Sequence, residues 1–187
     1  ESIKEVFSYI IKNIGAYMPL LIGSAFIIVL LYGLQSWVPT FLHRIHGWEH
    51  TRIGDQYGLV ALFAGSLGVI SGPVFERYLT KLNYNPPIII LCIITSIALT
   101  ILGPITFLSL SSDIVLIGIF ITSFFITFPL ALFATSLQNI TPNQYRGVVS
   151  GLYVFTVNIV GYGLGPMVVA FFTDKVFKSE MAIDLSM

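Results

Sequence analysis

The stretch "LLIGSAFIIVLLYG", residues 20–33, decides the fold class, because it carries no charged side chain and is apolar on both faces. A membrane-spanning β-strand alternates lipid-facing and lumen-facing residues, and this stretch shows no such alternation. A helix satisfies all of its own backbone hydrogen bonds, which the bilayer core requires. The stretch therefore predicts part of a membrane-spanning helix.

The composition of the whole chain agrees with a membrane protein. Of its 187 residues, 56% are hydrophobic and only 10% are charged, whereas about 25% are charged in soluble domains. Nine Lys and Arg residues balance nine Asp and Glu residues, so no net charge attracts nucleic acid. The lone Cys92 excludes an internal disulfide. We expect an integral membrane protein whose first partner is the lipid bilayer, with no nucleic-acid partner.

Polar residues gather between long apolar runs, which predicts an all-α polytopic bundle. A span needs roughly 20 apolar residues. Five runs qualify, at about 16–42, 54–75, 86–108, 113–137 and 147–172. The first is long enough to tilt or to end in a break at Pro39. Residues 1–15 before it form an amphipathic cytoplasmic lead-in.

A small excess of basic residues favours one orientation, although charge counting alone does not settle it. With Glu1 on the cytoplasmic side, that side holds five basic residues and the opposite side four. This is a weak positive-inside signal. It places the loops at 76–85 and 138–146 in the cytoplasm.

A glycine pattern occurs twice, as "GSLGVISGP" at residues 65–73 and as "NIVGYGLGP" at residues 158–166. The first span to carry it contains Gly54, Gly58, Gly65, Gly68, Gly72 and then Pro73. A shift of 93 residues leads to Gly147, Gly151, Asn158, Gly161, Gly165 and Pro166. At 100° per residue these glycines form a seam along one face of each helix, where another helix can approach closely. Two interpretations remain: glycine used independently at two tight contacts, or an internal repeat.

An internal repeat of about 93 residues corresponds to three spans, so the second copy crosses the membrane in the opposite direction. Residues 16–108 are then the first repeat, and residues 109–187 are an incomplete second repeat. A further helix is expected to start near residue 180, within "EMAIDLSM". We therefore expect the chain to be a piece of a larger transporter.

The segment "SGPVFERYLTKL", residues 71–82, resembles the loop signature of the major facilitator superfamily. The matching residues are Gly72, Glu76, Arg77 and Lys81. The sequence departs from the family at Glu76, where Asp is usual, at Leu79, where Gly is usual, and at Thr80, where a basic residue is usual. In the family such a carboxylate latches one half of the transporter to the other on the cytoplasmic side. The alternative is a set of solvated or snorkelling charges.

Two further segments resemble spinster-like and anion:cation symporter members of that superfamily. They are "YGLQSWVPTFLHRIHGW" at residues 32–48 and "TPNQYRGVVSGLYVFTVNIVGYGLGPMVVAFFTD" at residues 141–174. The resemblance implies the second half of a twelve-helix transporter that lacks its last helix. It also implies a homologous N-terminal half as partner.

By this resemblance, polar side chains of the first, fourth and fifth spans line or border a substrate cavity. The candidates are Tyr32, Gln35, Trp37, Thr122, Thr127, Asn158 and Tyr162. Each has a structural alternative. Gln35 lies near the outer end of its span and could be a gate, and Asn158 could hydrogen-bond between helices. Thr side chains in such helices usually bond back to their own carbonyls.

Several kinds of chemistry have little support. No charged residue falls in the middle of a span, so the countercharge for an anion and the site for a coupling proton or sodium ion fall to the missing half. His43, His46 and His50 could approach a metal, but Gly47 interrupts their helix and no cysteine assists. No nucleophile–base pair or phosphate-cradling loop is present, which argues against an enzyme or a bound cofactor.

Two functions remain. The first is a secondary transporter that moves a small organic solute, such as an organic anion or a sugar acid, across a bacterial inner membrane by alternating access. The alternative is a non-transporting helical scaffold that assembles through its glycine seams.

Overall fold

A computed structural model describes residues 3–84 and 86–187. The beginning of the predicted lead-in, Glu1 and Ser2, and the end of the predicted 76–85 loop, Asn85, lie outside the described residues. The described chain is almost entirely helical. Its α-helices are α1 Ile3–Lys12, α2 Ile14–His46, α3 His50–Lys81, α4 Pro87–Phe107, α5 Ser112–Thr127, α6 Leu130–Asn139, α7 Arg146–Phe171 and α8 Ile183–Ser186.

Five helical segments are long and apolar enough to cross a membrane, which confirms the predicted number of spans. They are α2, α3, α4, the pair α5 and α6 taken together as Ser112–Asn139, and the segment Asn143–Phe177 that contains α7. Four of these segments extend beyond the apolar runs, because a helix continues into water wherever its polar residues favour helical backbone, whereas α4 lies within its predicted run at 86–108.

α2 continues through Pro39 to His46, so the break predicted as one alternative at Pro39 does not occur. Proline is tolerated inside membrane helices because neighbouring groups satisfy the carbonyl that it leaves free. The helix ends at Gly47, whose φ of 66° is left-handed and whose N–H donates to the His43 carbonyl. Glycine adopts that conformation without steric cost, and here it terminates the helix.

The fourth span is interrupted between α5 and α6. Phe128 and Pro129 form a turn there, and the Phe128 N–H still donates to the Phe124 carbonyl at 3.0 Å. Pro129 has no N–H to donate, so the regular ladder stops at that residue. The Leu132 and Phe133 N–H groups both donate to the Pro129 carbonyl, and α6 begins on the far side of the turn.

Successive spans alternate in direction, so α2 and α7, the first and fifth, run parallel to one another. The most extensive contacts join α2 to α7, α3 to α5 and α4 to α5. Two separate clusters of buried side chains lie near the two ends of the bundle. One contains Phe41, Leu42 and Phe107, and the other contains Tyr17, Leu137 and Val149.

The outer surface of the spans is apolar. Phe26 is 69% exposed, Ile70 66% and Phe155 63%. Water would not tolerate a continuous surface of this kind, whereas acyl chains cover it without cost. The chain is therefore a multi-pass membrane protein.

Candidate functional site

α7 approaches α2 closely through two of the predicted seam glycines. A Cβ atom placed on Gly165 would lie 2.8 Å from the Val29 carbonyl oxygen and 2.9 Å from the Gly33 nitrogen. At Gly161 it would collide with the side chains of Ile28 and Tyr32. Only glycine allows the two backbones to meet at this distance.

α3 approaches α5 in the same way. A Cβ atom on Gly68 would collide with the Thr127 hydroxyl and would lie 2.5 Å from the Phe124 carbonyl oxygen. On Gly72 it would collide with the Phe128 carbonyl oxygen, beside the turn that separates α5 from α6. Both glycine contacts thus bring a helix against the backbone of a neighbour.

The two contacts are related in the way that an inverted repeat requires. The second span packs on the fourth, and the fifth packs on the first, so each contact joins a helix of one predicted repeat to a helix of the other. The repeat itself stays a prediction.

Among the described residues, close backbone contacts do not extend along the whole length of each predicted seam. Within the described residues, a Cβ atom would meet nothing within 4 Å at Gly54, Gly58, Gly147 or Gly151. At Gly65 it would touch only the Thr127 Cγ2 atom, at 4.0 Å. The close contacts of the described chain thus involve two glycines of each seam. A packing role for the other four glycines stays a prediction.

Three predicted cavity residues meet where α7 touches α2. The rings of Tyr32 and Tyr162 stack with their centroids 3.8 Å apart, and the Tyr32 hydroxyl donates to Asn158 Oδ1 at 2.9 Å. The Asn158 amide in turn donates to the Val154 carbonyl at 2.7 Å. We call Tyr32, Asn158 and Tyr162 the tyrosine cluster.

The tyrosine cluster is half open. Tyr162 is 65% exposed, whereas Tyr32 and Asn158 are partly buried. The Tyr162 ring can therefore meet a further molecule, while the Asn158 carbonyl oxygen is engaged with Tyr32 and its amide nitrogen with its own helix. The chemistry on offer is aromatic stacking and neutral hydrogen bonding.

Trp37 lies one turn further along α2 and also bonds to α7. Its indole N–H donates to the Pro166 carbonyl at 3.0 Å. A buried indole usually needs such an acceptor. This bond fixes the relative position of α2 and α7 directly beyond Gly165.

The predicted cavity residues of the fourth span do not join this cluster. The Thr127 hydroxyl donates to the Ser123 and Phe124 carbonyls of its own helix, and its side chain packs on Gly68. The Thr122 side chain is buried, and its hydroxyl has no hydrogen-bond partner among the described residues. Gln35 is exposed on α2.

The predicted loop signature lies on a helix and not in a loop. Gly72, Glu76, Arg77 and Lys81 all belong to the last turns of α3, which ends at Lys81. Glu76 is partly buried, whereas Arg77 and Lys81 are exposed. Within residues 3–84 and 86–187, Glu76 forms no ion pair with either basic residue. Its partner as a latch stays a prediction.

The three histidines near the α2–α3 connection take separate roles. The rings of His43 and His50 stack 4.6 Å apart, and His43 Nδ1 lies 2.9 Å from the Trp48 carbonyl oxygen. His46 packs edge-on against Phe41. Among the described residues, no group of three His, Cys, Asp or Glu side chains could hold a metal ion.

Two long-range bonds were not predicted from the sequence. Arg44 forms an ion pair with Glu180 at 3.2 Å, 136 residues later, and ties the segment before α8 to the end of α2. At the other end of the bundle, the buried Tyr17 and Thr141 hydroxyls lie 2.7 Å apart. No local pattern pairs residues at such separations.

Comparison with known proteins gives consistent matches. The family model of the Major Facilitator Superfamily matches residues 1–166. An MFS-type efflux pump of Mycolicibacterium smegmatis is 27% identical over 162 residues, which cover 86% of this chain and 37% of that protein.

Solved structures with the same fold include a bacterial homolog of the human lysosomal transporter Spinster, in two inward-facing conformations. The unoccupied form matches with a TM-score of 0.69 and 23% identity, over 90% of this chain and 35% of that one. The occupied form matches with a TM-score of 0.66 and 25% identity, over 84% and 34%. The chain thus spans little more than a third of the length of these relatives.

Proposed function

The chain belongs to the Major Facilitator Superfamily, and we propose on that premise that it forms the C-terminal portion of a secondary transporter. Family membership indicates a transporter and not an enzyme. In this proposal the five spans rock against a homologous N-terminal half, and alternating access moves a small organic solute between them. The observation that carries the proposal is the family match over most of the chain.

We propose that the tyrosine cluster is the part of the solute site that this chain supplies. Polar groups at membrane depth are costly unless they face protein or a water-filled cavity. Asn158 lies near the middle of α7 and keeps its carbonyl oxygen directed at Tyr32 rather than at lipid. Gln35 and Trp37 extend the same polar region along α2.

We propose an organic anion or a sugar acid as the solute. The hydroxyls of a sugar would hydrogen-bond to Asn158 and Tyr32, and its C–H faces would stack on Tyr162. The middle of each span lacks a charged residue, so we assign the positive countercharge to the N-terminal half. A coupling proton or sodium ion would bind there as well.

A bacterial inner membrane is the proposed location. The Mycolicibacterium smegmatis protein is described as an efflux pump, and the solved homolog is bacterial. On the basis of that likeness alone, we propose that transport runs in the direction of export.

The test compares the 187-residue chain with a longer protein that supplies a homologous N-terminal half, both reconstituted in liposomes. Uptake of radiolabelled glucuronate and of lactate is measured against empty vesicles. We expect saturable uptake from the longer protein only. Saturable uptake by the 187-residue chain would contradict the half-transporter proposal, and self-association without uptake by either protein would favour the scaffold.

A pair of variants of the longer protein tests the tyrosine cluster. Tyr32→Phe removes the hydroxyl that bonds to Asn158 and should raise KM for the solute. Tyr84→Phe makes the same chemical change at an exposed residue after α3 and should leave KM unchanged. Equal KM values for both variants would show that the tyrosine cluster is not part of the solute site.

A further inference from the structure

The short helix α1 has one face that packs against the bundle. Val6 is 2% exposed and Ile10 8%, and both belong to the buried cluster that contains Tyr17. Beside them, the Tyr9 ring packs against Tyr145 with the centroids 5.5 Å apart. These contacts hold α1 against the beginnings of α2 and α7.

A second face of α1 is apolar but exposed. Phe7 and Ile11 lie four residues apart on it and are 46% and 66% exposed. The apolar surface continues past the end of α1 through Ile14 and Met18 onto the outer surface of the first span. This face is therefore continuous with a surface that acyl chains cover.

A third face of α1 is basic and borders the exposed apolar face. Lys4, Ser8 and Lys12 follow one another at four-residue intervals, and all three are exposed. At 100° per residue, this row lies directly beside the row of Phe7 and Ile11. Glu5, the acidic residue of α1, lies on the far side of the basic row.

The junction with α2 places the end of α1 directly before the first membrane-spanning segment. Lys12 and Asn13 precede the first span, which begins at Ile14. The Asn13 side-chain amide donates to the Tyr9 carbonyl at 2.9 Å, which closes the end of α1. Lys12 thus lies two residues before the first membrane-spanning segment.

We propose that α1 is an interfacial helix that binds anionic phospholipids. Phe7 and Ile11 insert among the acyl chains, and the Lys4 and Lys12 ammonium groups bind the phosphates of the headgroups next to them. A helix with adjacent apolar and basic faces binds anionic bilayers in this way. Each ammonium group has three donors, so a lysine that already makes one contact can still bind a headgroup.

Arg77, Lys81 and Arg146 lie at the same end of the bundle and strengthen the attraction. With Lys4 and Lys12 they outnumber the acidic residues of that end within the described chain, which are Glu5 and Glu76. The field of this end therefore favours anionic over zwitterionic lipid. This inference does not depend on the transported solute.

Native mass spectrometry of the 187-residue chain in detergent provides the test, with phosphatidylglycerol and phosphatidylcholine as titrants. We expect the first phosphatidylglycerol to bind more tightly than phosphatidylcholine. Lys4→Gln/Lys12→Gln should weaken phosphatidylglycerol binding by about fivefold for each lysine and leave phosphatidylcholine binding unchanged. Glycerol phosphate, which has no acyl chains, should not compete.

The matched control is Lys175→Gln/Lys178→Gln, which removes the same charge from exposed residues at the opposite end of the bundle. It should retain the selectivity for phosphatidylglycerol. Circular dichroism shows whether each variant keeps its helix content. Equal losses in the two double variants, or no loss in Lys4→Gln/Lys12→Gln, would overturn the proposal.

Insertion of the apolar face is tested separately in nanodiscs that contain phosphatidylglycerol. Spin labels are attached to Ile11→Cys or to Glu5→Cys, in a Cys92→Ser background. The label at residue 11 should be accessible to dissolved oxygen, and the label at residue 5 to a water-soluble nickel chelate. An Ile11 label that is accessible to the chelate would show that this face lies in water and not among acyl chains, which would overturn the insertion of α1.

Discussion

Gly165→Ala should destabilise the bundle because it forces α7 away from α2. The added Cβ atom would lie 2.8 Å from the Val29 carbonyl oxygen and 2.9 Å from the Gly33 nitrogen. Both neighbours are backbone atoms and cannot rotate aside, so the helices must separate by several tenths of an ångström. Overpacking of this kind costs about 1–3 kcal/mol.

Helix propensity acts in the opposite direction and must be separated from the steric effect. Alanine is favoured over glycine in a helix by about 1 kcal/mol. Gly151→Ala makes the same change in α7 at a position where the added Cβ meets nothing within 4 Å. The difference between the two variants therefore isolates the cost of the close contact.

The measurement is the free energy of unfolding of the 187-residue chain, from titration with sodium dodecyl sulfate in mixed micelles followed by circular dichroism. We expect Gly165→Ala to be less stable than Gly151→Ala by about 1–3 kcal/mol. A difference below about 0.5 kcal/mol, the usual error of additivity, would refute the close contact between α2 and α7.

Two further predictions concern the topology and the latch. In a Cys92→Ser background, Thr80→Cys and Asn143→Cys should resist an impermeant thiol reagent added outside intact cells, whereas Glu49→Cys should react. Ready labelling of the first two variants would show that the orientation is reversed. In the longer transporter, Glu76→Gln should lower turnover without lowering expression, because it weakens a conformational coupling typically worth about 1–3 kcal/mol. Unchanged turnover would show that Glu76 is a solvated charge and not a latch.

The number of spans could be predicted because bilayer thickness acts on each apolar run separately. "LLIGSAFIIVLLYG" needs no information from the rest of the chain to become a helix in lipid. The ends of the helices were less predictable. α2 extends to His46 through Pro39, since tertiary neighbours and not local propensity decide whether a proline terminates a membrane helix.

The candidate site could be predicted only in part, because helix rotation depends on the neighbours. Tyr32, Asn158 and Tyr162 meet since Gly161 places their helices in contact. Thr127 has a side chain of the same polar type as other cavity candidates, yet α5 is rotated so that it packs on Gly68. The apolar composition of α5 is nearly uniform around its circumference and does not specify that rotation.

The contact between α2 and α7 also affects how the protein is made. Gly33 and Gly165 are separated by 132 residues, the difference of their positions. At about 5–20 residues per second, a ribosome needs roughly 7–26 s to extend the chain from one to the other. During that interval α2 is already in the membrane, and the side of it that will receive α7 faces lipid or the insertion machinery. Of these five spans, α2 comes first along the chain and acquires its main neighbour last, because α7 belongs to the fifth span.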